Sequence, residues 1–295
     1  MQAKVMQSRL LELIRRTSSR LPDDVVRVIE RGRRREQPGS TAEYALQVIL
    51  DNIAMARDKS LPLCQDTGTI ICYADLPAWL DESAFATSFS RAVAQATKLG
   101  YLRQNSVDSL TGKNSGTNLG PGSPSYHLHQ TRGRSLLVRL ILKGGGCENV
   151  GAQYSLPDTK LGAGRDLAGV RRCILDAVHQ AQGKGCGPGI LGVCIGGDRG
   201  SGYVASKEAL LRTLDDQNPE PSLAKLEKQI VQEANTLGIG PMGFGGATTL
   251  LGCKIAHRNR LPASFFVSIS YMCWAYRRDG FALSESGKIT RWLYA

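Results

Sequence analysis

Three cysteines far apart in the chain, Cys64, Cys186 and Cys273, each stand in a short polar or glycine-rich motif, and a fold that uses them together must gather remote segments. The motifs read Leu63-Cys64-Gln65-Asp66-Thr67-Gly68, Gly185-Cys186-Gly187-Pro188-Gly189 and Met272-Cys273-Trp274-Ala275-Tyr276-Arg277-Arg278. Thiolates are the preferred ligands of iron–sulfur clusters. Three of them around a cubane of four irons leave one iron without a protein ligand, open to act as a Lewis acid.

With 295 residues and 42% apolar content, the chain can bury one large core or two modest ones. No stretch approaches the length of a membrane span, because Arg139 interrupts even the apolar run 136–142. The start, Met1-Gln2-Ala3-Lys4, lacks the continuous apolar region of a secretory signal, so the expected compartment is the cytoplasm. Eight cysteines are too few and too dispersed for a disulfide scaffold, and no CxxC pair points to a zinc ribbon. Cys72, Cys173, Cys194 and Cys253 lie in apolar surroundings and read as small core residues.

The formal charge is +11, and residues 1–40 hold ten Lys/Arg against five Asp/Glu, with a cluster at Arg31-Gly32-Arg33-Arg34-Arg35. This raises the alternative of a basic nucleic-acid-binding protein. Against it, the cluster has no interleaved aromatics, and no helix-turn-helix or RRM-like signature is apparent. A solvated basic surface is the expectation, and such a surface also concentrates dianionic substrates.

The periodicity predicts a mixed α/β fold: a helical N-terminal layer, spanning 1–60, packed on a mixed β-sheet core in a single cluster-binding domain, 1–295. Pro22-Asp23-Asp24 opens a helix, Ser40-Thr41-Ala42-Glu43 fits a capping box for a helix to about Arg57, and another runs over 81–99 to a stop at Gly100. The Cys64 motif precedes a short strand, 69–73. A polar, glycine-rich segment follows at 104–123, then a strand at 135–142 and Lys143-Gly144-Gly145-Gly146. A helix at 166–182 delivers the chain to Cys186, and the apolar run 190–195 behind it reads as a buried strand. Helices near 203–214 and 222–237 and strands near 248–256 and 264–271 complete the pattern, the last leading directly to Cys273.

Nucleotide motifs fail on context. Gly238-Ile239-Gly240-Pro241-Met242-Gly243 matches GxGxxG but follows a helix and carries a proline where a dinucleotide fingerprint opens one, and Gly112-Lys113 lacks the upstream glycine of a Walker A loop. The run from Arg103 through Asn118 fits a surface loop, although its arginine, amides and hydroxyls also suit carboxylate recognition.

Taken in order, Leu61-Pro62-Leu63-Cys64-Gln65-Asp66-Thr67-Gly68, Lys113-Asn114-Ser115-Gly116-Thr117-Asn118, Lys143-Gly144-Gly145-Gly146, Cys186-Gly187-Pro188, Ile239-Gly240-Pro241-Met242-Gly243 and Cys273-Trp274-Ala275-Tyr276-Arg277-Arg278 resemble the iron–sulfur (class I) fumarate hydratases. The closer resemblance is to the α-subunit of the two-subunit members, a group that includes L(+)-tartrate dehydratase, and it extends from about Pro22 to Arg278.

The resemblance implies a [4Fe–4S] cluster on Cys64, Cys186 and Cys273, used without redox change to polarise the C–O bond of malate. It implies that Gln65, Asp66 and Arg103 contact the dicarboxylate substrate, that Asp66 handles the proton of the hydroxyl, and that Gly145 and Gly146 line the pocket. Two departures stand out. Leu261 occupies the position where many relatives carry a histidine, leaving His257 as a candidate substitute, and the family's remaining catalytic groups belong to a C-terminal domain or β-subunit that does not follow Ala295. The expectation is therefore a hetero-oligomer that acts only with a β-subunit. L(+)-tartrate dehydration and mesaconate-type hydration are the alternatives within the enzyme class.

Overall fold

The computed structural model describes residues 2–294; Met1 and Ala295, used in reading the chain ends, lie outside them. In chain order the elements are α1 (Ala3–Ser19), α2 (Asp23–Arg33), α3 (Thr41–Lys59), β1 (Thr69–Pro77), α4 (Glu82–Lys98), β2 (Ser125–Thr131), β3 (Leu136–Lys143), α5 (Gly145–Asn149) and β4 (Ala152–Ser155). Then come α6 (Leu167–Ala181), β5 (Gly189–Ile195), α7 (Arg199–Ala209), α8 (Pro221–Thr236), β6 (Leu250–His257), β7 (Phe266–Met272), β8 (Arg277–Leu283) and β9 (Ile289–Trp292). The class is mixed α/β. Where the sequence reads as one domain, the chain clusters into two compact units: one of residues up to Asp23, Asp51–Gly145 and Ala275 onward, the other of Asp24–Leu50 and Gly146–Trp274.

The first unit holds a five-stranded sheet in the order β2-β1-β3-β8-β9, parallel between β1 and β2 and antiparallel elsewhere. Alternate residues Ile70, Cys72, Ala74 and Leu76 of β1 and Val138, Leu140 and Leu142 of β3 turn one face inward. Leu10, Leu13 and Ile14 of α1 and Phe85, Phe89 and Val93 of α4 join them in one core cluster. The side chain of Asp81 accepts the N–H of Ala84 at 3.0 Å to start α4, and Gly100, at φ +76°, takes the left-handed conformation that ends it.

The second unit is built on the sheet β4-β7-β5-β6, with β5 parallel to β6 and antiparallel to β7. Every residue of β5 is buried, with α7 packed on it, α8 on β6 and α6 on β7. The capping box forms by half: Ser40 Oγ accepts the N–H of Glu43 at 3.1 Å, but the Glu43 carboxylate takes the N–H of Gly39 at 2.7 Å. The basic cluster is partly neutralised by its own neighbours, since Arg33 lies 3.7 Å from Glu43 and Arg34 3.6 Å from Glu30. Among the described residues no helix is long and apolar enough to cross a membrane.

Candidate active site

In the first unit, the loop carrying Cys64 is pinned through its backbone. The N–H of Leu63 donates to the carbonyl of Ser18 at 2.9 Å, and the carbonyl of Leu63 accepts from Asn52 Nδ2 at 2.9 Å. At the far end, Gly68 sits at φ +77°, and a Cβ there would lie 2.5 Å from the carbonyl carbon of Lys143, so only glycine fits. Cys64 and Asp66 are half-buried between these anchors, while Gln65 is exposed.

Asp66 is the hub. Its Oδ1 accepts from the N–H of Gly68 at 2.8 Å and from Asn105 Nδ2 at 2.7 Å, and its Oδ2 accepts from the N–H of Gly145 at 2.6 Å. The carboxylate is thereby fixed in place by three donors, two of them backbone. Its own carbonyl accepts from Arg277 Nη1 at 2.7 Å, and Arg277 is 1% exposed.

The polar loop supplies the neighbouring wall. Thr67 Oγ1 accepts the N–H of Arg103 at 2.9 Å and donates to its carbonyl at 3.1 Å. Asn118, buried and at φ +61°, accepts the N–H of Asn105 at 2.8 Å and donates to the carbonyl of Arg103 at 2.8 Å. These contacts hold the backbone of Arg103, whose side chain is exposed. The first unit thus presents a thiol, a clamped carboxylate, an amide and a guanidinium on one set of pinned loops.

In the second unit, Cys186 and Cys273 come together. Cys186 precedes β5 and Cys273 follows β7, and these strands pair with Ile190 opposite Met272, so both cysteines lie at the same end of the sheet. The N–H of Trp274 donates to the carbonyl of Cys186 at 3.3 Å. Cys186 is held at φ 53°, ψ 57°, a left-handed conformation that costs a non-glycine residue about 1–2 kcal/mol and persists only where the surroundings fix it. The ring of Tyr271 does part of that fixing: a Cβ on Gly185 would lie 2.5 Å from its Cε1, and one on Gly189 would overlap Cζ and Oη. Burial, followed by the charges of Cys273, Cys147 and Cys186, pushes the Tyr271 hydroxyl above its usual range. Met242, from the Gly-Pro-Met motif, donates its N–H to the carbonyl of Gly187 at 3.1 Å.

Gly145 reaches Asp66 in the first unit, whereas Gly146 belongs to the second, where its Cβ position lies 3.6 Å from the carbonyl of Lys184. His257 is not brought to Cys186 and Cys273. It pairs with Ile195 at the other end of β5, six strand steps from Gly189, a separation of about 20 Å. Leu261, beyond it, is 73% exposed. Sequence reading missed Cys147, whose Sγ accepts the N–H of Cys273 at 3.3 Å, and Tyr271. The glycine run directly before Cys147 was the available signal for the first; Tyr271 reads as an ordinary strand residue.

Cys72, Cys173, Cys194 and Cys253 are buried core residues, as expected. Burial pushes the Cys194 thiol up to about 11 and the Cys173 thiol to about 12, values that keep them protonated and poor ligands. Cys64 and Cys186 are half-buried and Cys273 is buried, and none of the three is in a disulfide. Among the described residues no group of three or more His, Cys, Asp or Glu side chains closes on a single metal ion. A cubane is larger than one ion and holds its thiolates farther apart, so the test is donor chemistry, taken unit by unit: in the second unit two thiols lie at one sheet end with glycine on both sides of Cys186, in the first the Cys64 thiol sits on a pinned loop, and each is the donor type an iron–sulfur group takes.

Residues 7–282 match the model of the fumarate hydratase (fumerase) family. A Geobacillus stearothermophilus protein provisionally named fumarate hydratase class I is 52% identical over 289 residues, which is 97% of this chain and 56% of that protein, so the chain spans little more than half of that relative. A Methanocaldococcus jannaschii protein provisionally named L(+)-tartrate dehydratase subunit alpha is 31% identical over 91% of this chain and 94% of its own length. The L(+)-tartrate dehydratase subunit alpha of Escherichia coli (strain UTI89 / UPEC) is 30% identical over 88% of this chain and 85% of its own length. On a family match that takes in all three motif cysteines and relatives aligned along nearly the whole chain, the protein belongs to the fumarate hydratase (fumerase) family.

Proposed function

We propose that this chain is the α-type part of a hydro-lyase that interconverts fumarate and (S)-malate by adding and removing water. The observation that carries the reading is the family match over 7–282, with Cys64, Cys186 and Cys273 inside it. Those three residues would hold a [4Fe–4S] cluster, which when bound supplies Lewis-acid polarisation of the substrate C–O bond.

The chain's own groups do the rest. Arg103 and Gln65, both exposed, bind a substrate carboxylate, and the backbone at Gly145 and Gly146 lines the pocket. Asp66 takes and returns the hydroxyl proton at its carboxylate, which the N–H groups of Gly145 and Gly68 keep oriented. A β-subunit completes the site: two relatives of nearly the same length as this chain are named as alpha subunits. Those names also favour a second reading, L(+)-tartrate dehydration, by the same groups.

The test is anaerobic loading of the purified chain with iron and sulfide. Broad visible absorbance that Cys64→Ser, Cys186→Ser or Cys273→Ser abolishes, with fumarate hydration appearing only once a β-chain is added, supports the reading. Absorbance indifferent to all three substitutions overturns the cluster, and full turnover by this chain alone overturns the split site. Relative turnover of malate and L(+)-tartrate by the reconstituted pair decides between the two substrates.

A further inference from the structure

We propose that Cys147 is a positioning residue for Cys273, holding the direction in which that thiol points; the role rests on the cluster reading above. Cys147 is the third residue of α5 and is 2% exposed. Its Sγ accepts the backbone N–H of Cys273 at 3.3 Å. That amide lies one residue past Met272, the last β7 residue in register with β5, where the strand ladder ends.

The next amide in the chain is also tied, since the N–H of Trp274 donates to the carbonyl of Cys186 at 3.3 Å. The two peptide planes flanking the Cys273 Cα are therefore each fixed by a hydrogen bond to another cysteine. Both dihedrals at Cys273 are set by this pair of contacts, and with them the direction of its Cα–Cβ bond. A buried amide left without an acceptor is unfavourable and finds another arrangement, which would turn the thiol. Outer groups that orient a ligand in this way typically change metal retention by 10–100-fold.

Cys147 differs from the other buried cysteines in this respect. Cys72 and Cys253 are surrounded by core, and the Cys194 thiol donates to the adjacent carbonyl of Ile195 at 3.9 Å. Cys147 instead accepts the amide of a motif cysteine, and both residues lie in the second unit.

The test compares Cys147→Ala and Cys147→Val, which remove the acceptor, with Cys147→Ser, whose hydroxyl restores one. Two quantities are read on the full chain: hydrogen exchange of the Cys273 amide in metal-free protein, and the rate at which visible absorbance is lost to a chelator after anaerobic loading. The expected result is faster exchange and roughly tenfold faster loss in Ala and Val, with Ser close to wild type. Exchange and loss at wild-type rates in either folded acceptor-free variant, or failure of Ser to restore them, overturns the role. Wild-type protein that takes up no iron overturns the cluster reading and this role with it, while the exchange measurement still reports whether the Cys147 contact exists.

Discussion

Arg277 Nη1 donates to the carbonyl oxygen of Asp66 at 2.7 Å, tying the first residue of β8 to the loop that carries Cys64. Arg277 is 1% exposed, and among the described residues its buried Nε has no hydrogen-bond partner, so packing and the bond from Nη1 hold the guanidinium. Arg277→Lys keeps the charge but loses the planar fork. The expected cost is about 1–3 kcal/mol in urea unfolding, with weaker retention of iron by the Cys64 loop. An unchanged denaturation midpoint would show that the bond is incidental.

Asp66 is clamped by Gly68, Asn105 and Gly145. Asp66→Asn keeps the shape and one carbonyl acceptor while removing the charge and the capacity to take a proton. Fumarate hydration by the reconstituted enzyme should fall by about 10²–10⁴-fold, the usual loss for an acid–base group, with a smaller loss in melting temperature because the new amide NH2 meets an N–H donor on one side. A loss in melting temperature without a loss in turnover would recast Asp66 as a loop staple only.

What was legible in the sequence follows from where charge and apolarity agree with burial. β5 is an unbroken apolar run and fully buried, and α4 is bracketed by Asp81 and Gly100, so both emerge from local rules. β8 opens Arg277-Arg278-Asp279-Gly280, a pattern that reads as loop, yet these residues are buried because partners arrive from distant segments. Arg16 Nε donates to Asp279 at 2.9 Å, and the Arg278 guanidinium lies 4.8 Å from the Tyr294 ring. The same divide runs through the site. The motif cysteines are visible by their neighbours, while Cys147 and Tyr271 look like core until the sheet ends are built.

His257 tests the placement. It lies at the far end of β5 from Cys186 and Cys273, exposed. His257→Ala should leave turnover of the reconstituted enzyme within about twofold, as for a surface substitution away from special features. A loss of a hundredfold would mean the residue acts in catalysis after all.

The glycines around Cys186 are fitted to Tyr271. Gly189→Ala forces a methyl into the ring and should cost about 1–3 kcal/mol by overpacking. In the Tyr271→Leu background the distal ring atoms are gone and the same change should cost measurably less. A double-mutant cycle by urea unfolding gives the coupling, and additivity of the two changes would refute the contact as the cause.

A final prediction concerns a charged network on α8 and β6. Lys254 is 4% exposed and donates from Nζ to Asp216 Oδ1 at 2.6 Å and to the Asp216 carbonyl at 3.1 Å. Arg212 adds a two-pronged bond to the Asp216 carboxylate at 2.8 and 2.9 Å, and reaches Glu227 Oε1 at 2.6 Å. Glu227 in turn accepts the N–H of Ile255 at 2.7 Å, so the network also satisfies the outer edge of β6. Burial works to raise the pKa of Asp216, but hydrogen bonds from Arg212 and Lys254, with their charges, outweigh it and hold the carboxyl below its ordinary value of 3.8. A carboxyl depressed in the folded state contributes stability above its unfolded pKa, and that contribution is lost as pH falls through the folded value. Lys254→Met should therefore cost about 2 kcal/mol at pH 7, less than for a fully buried pair because Asp216 keeps 33% of its side chain exposed. The difference between wild type and variant should narrow as pH falls from 3.8 through the lower folded value, where Asp216 gives up its charge. Urea unfolding across that range measures it, and a gap independent of pH would assign the loss to packing of the lysine stem and not to its charge.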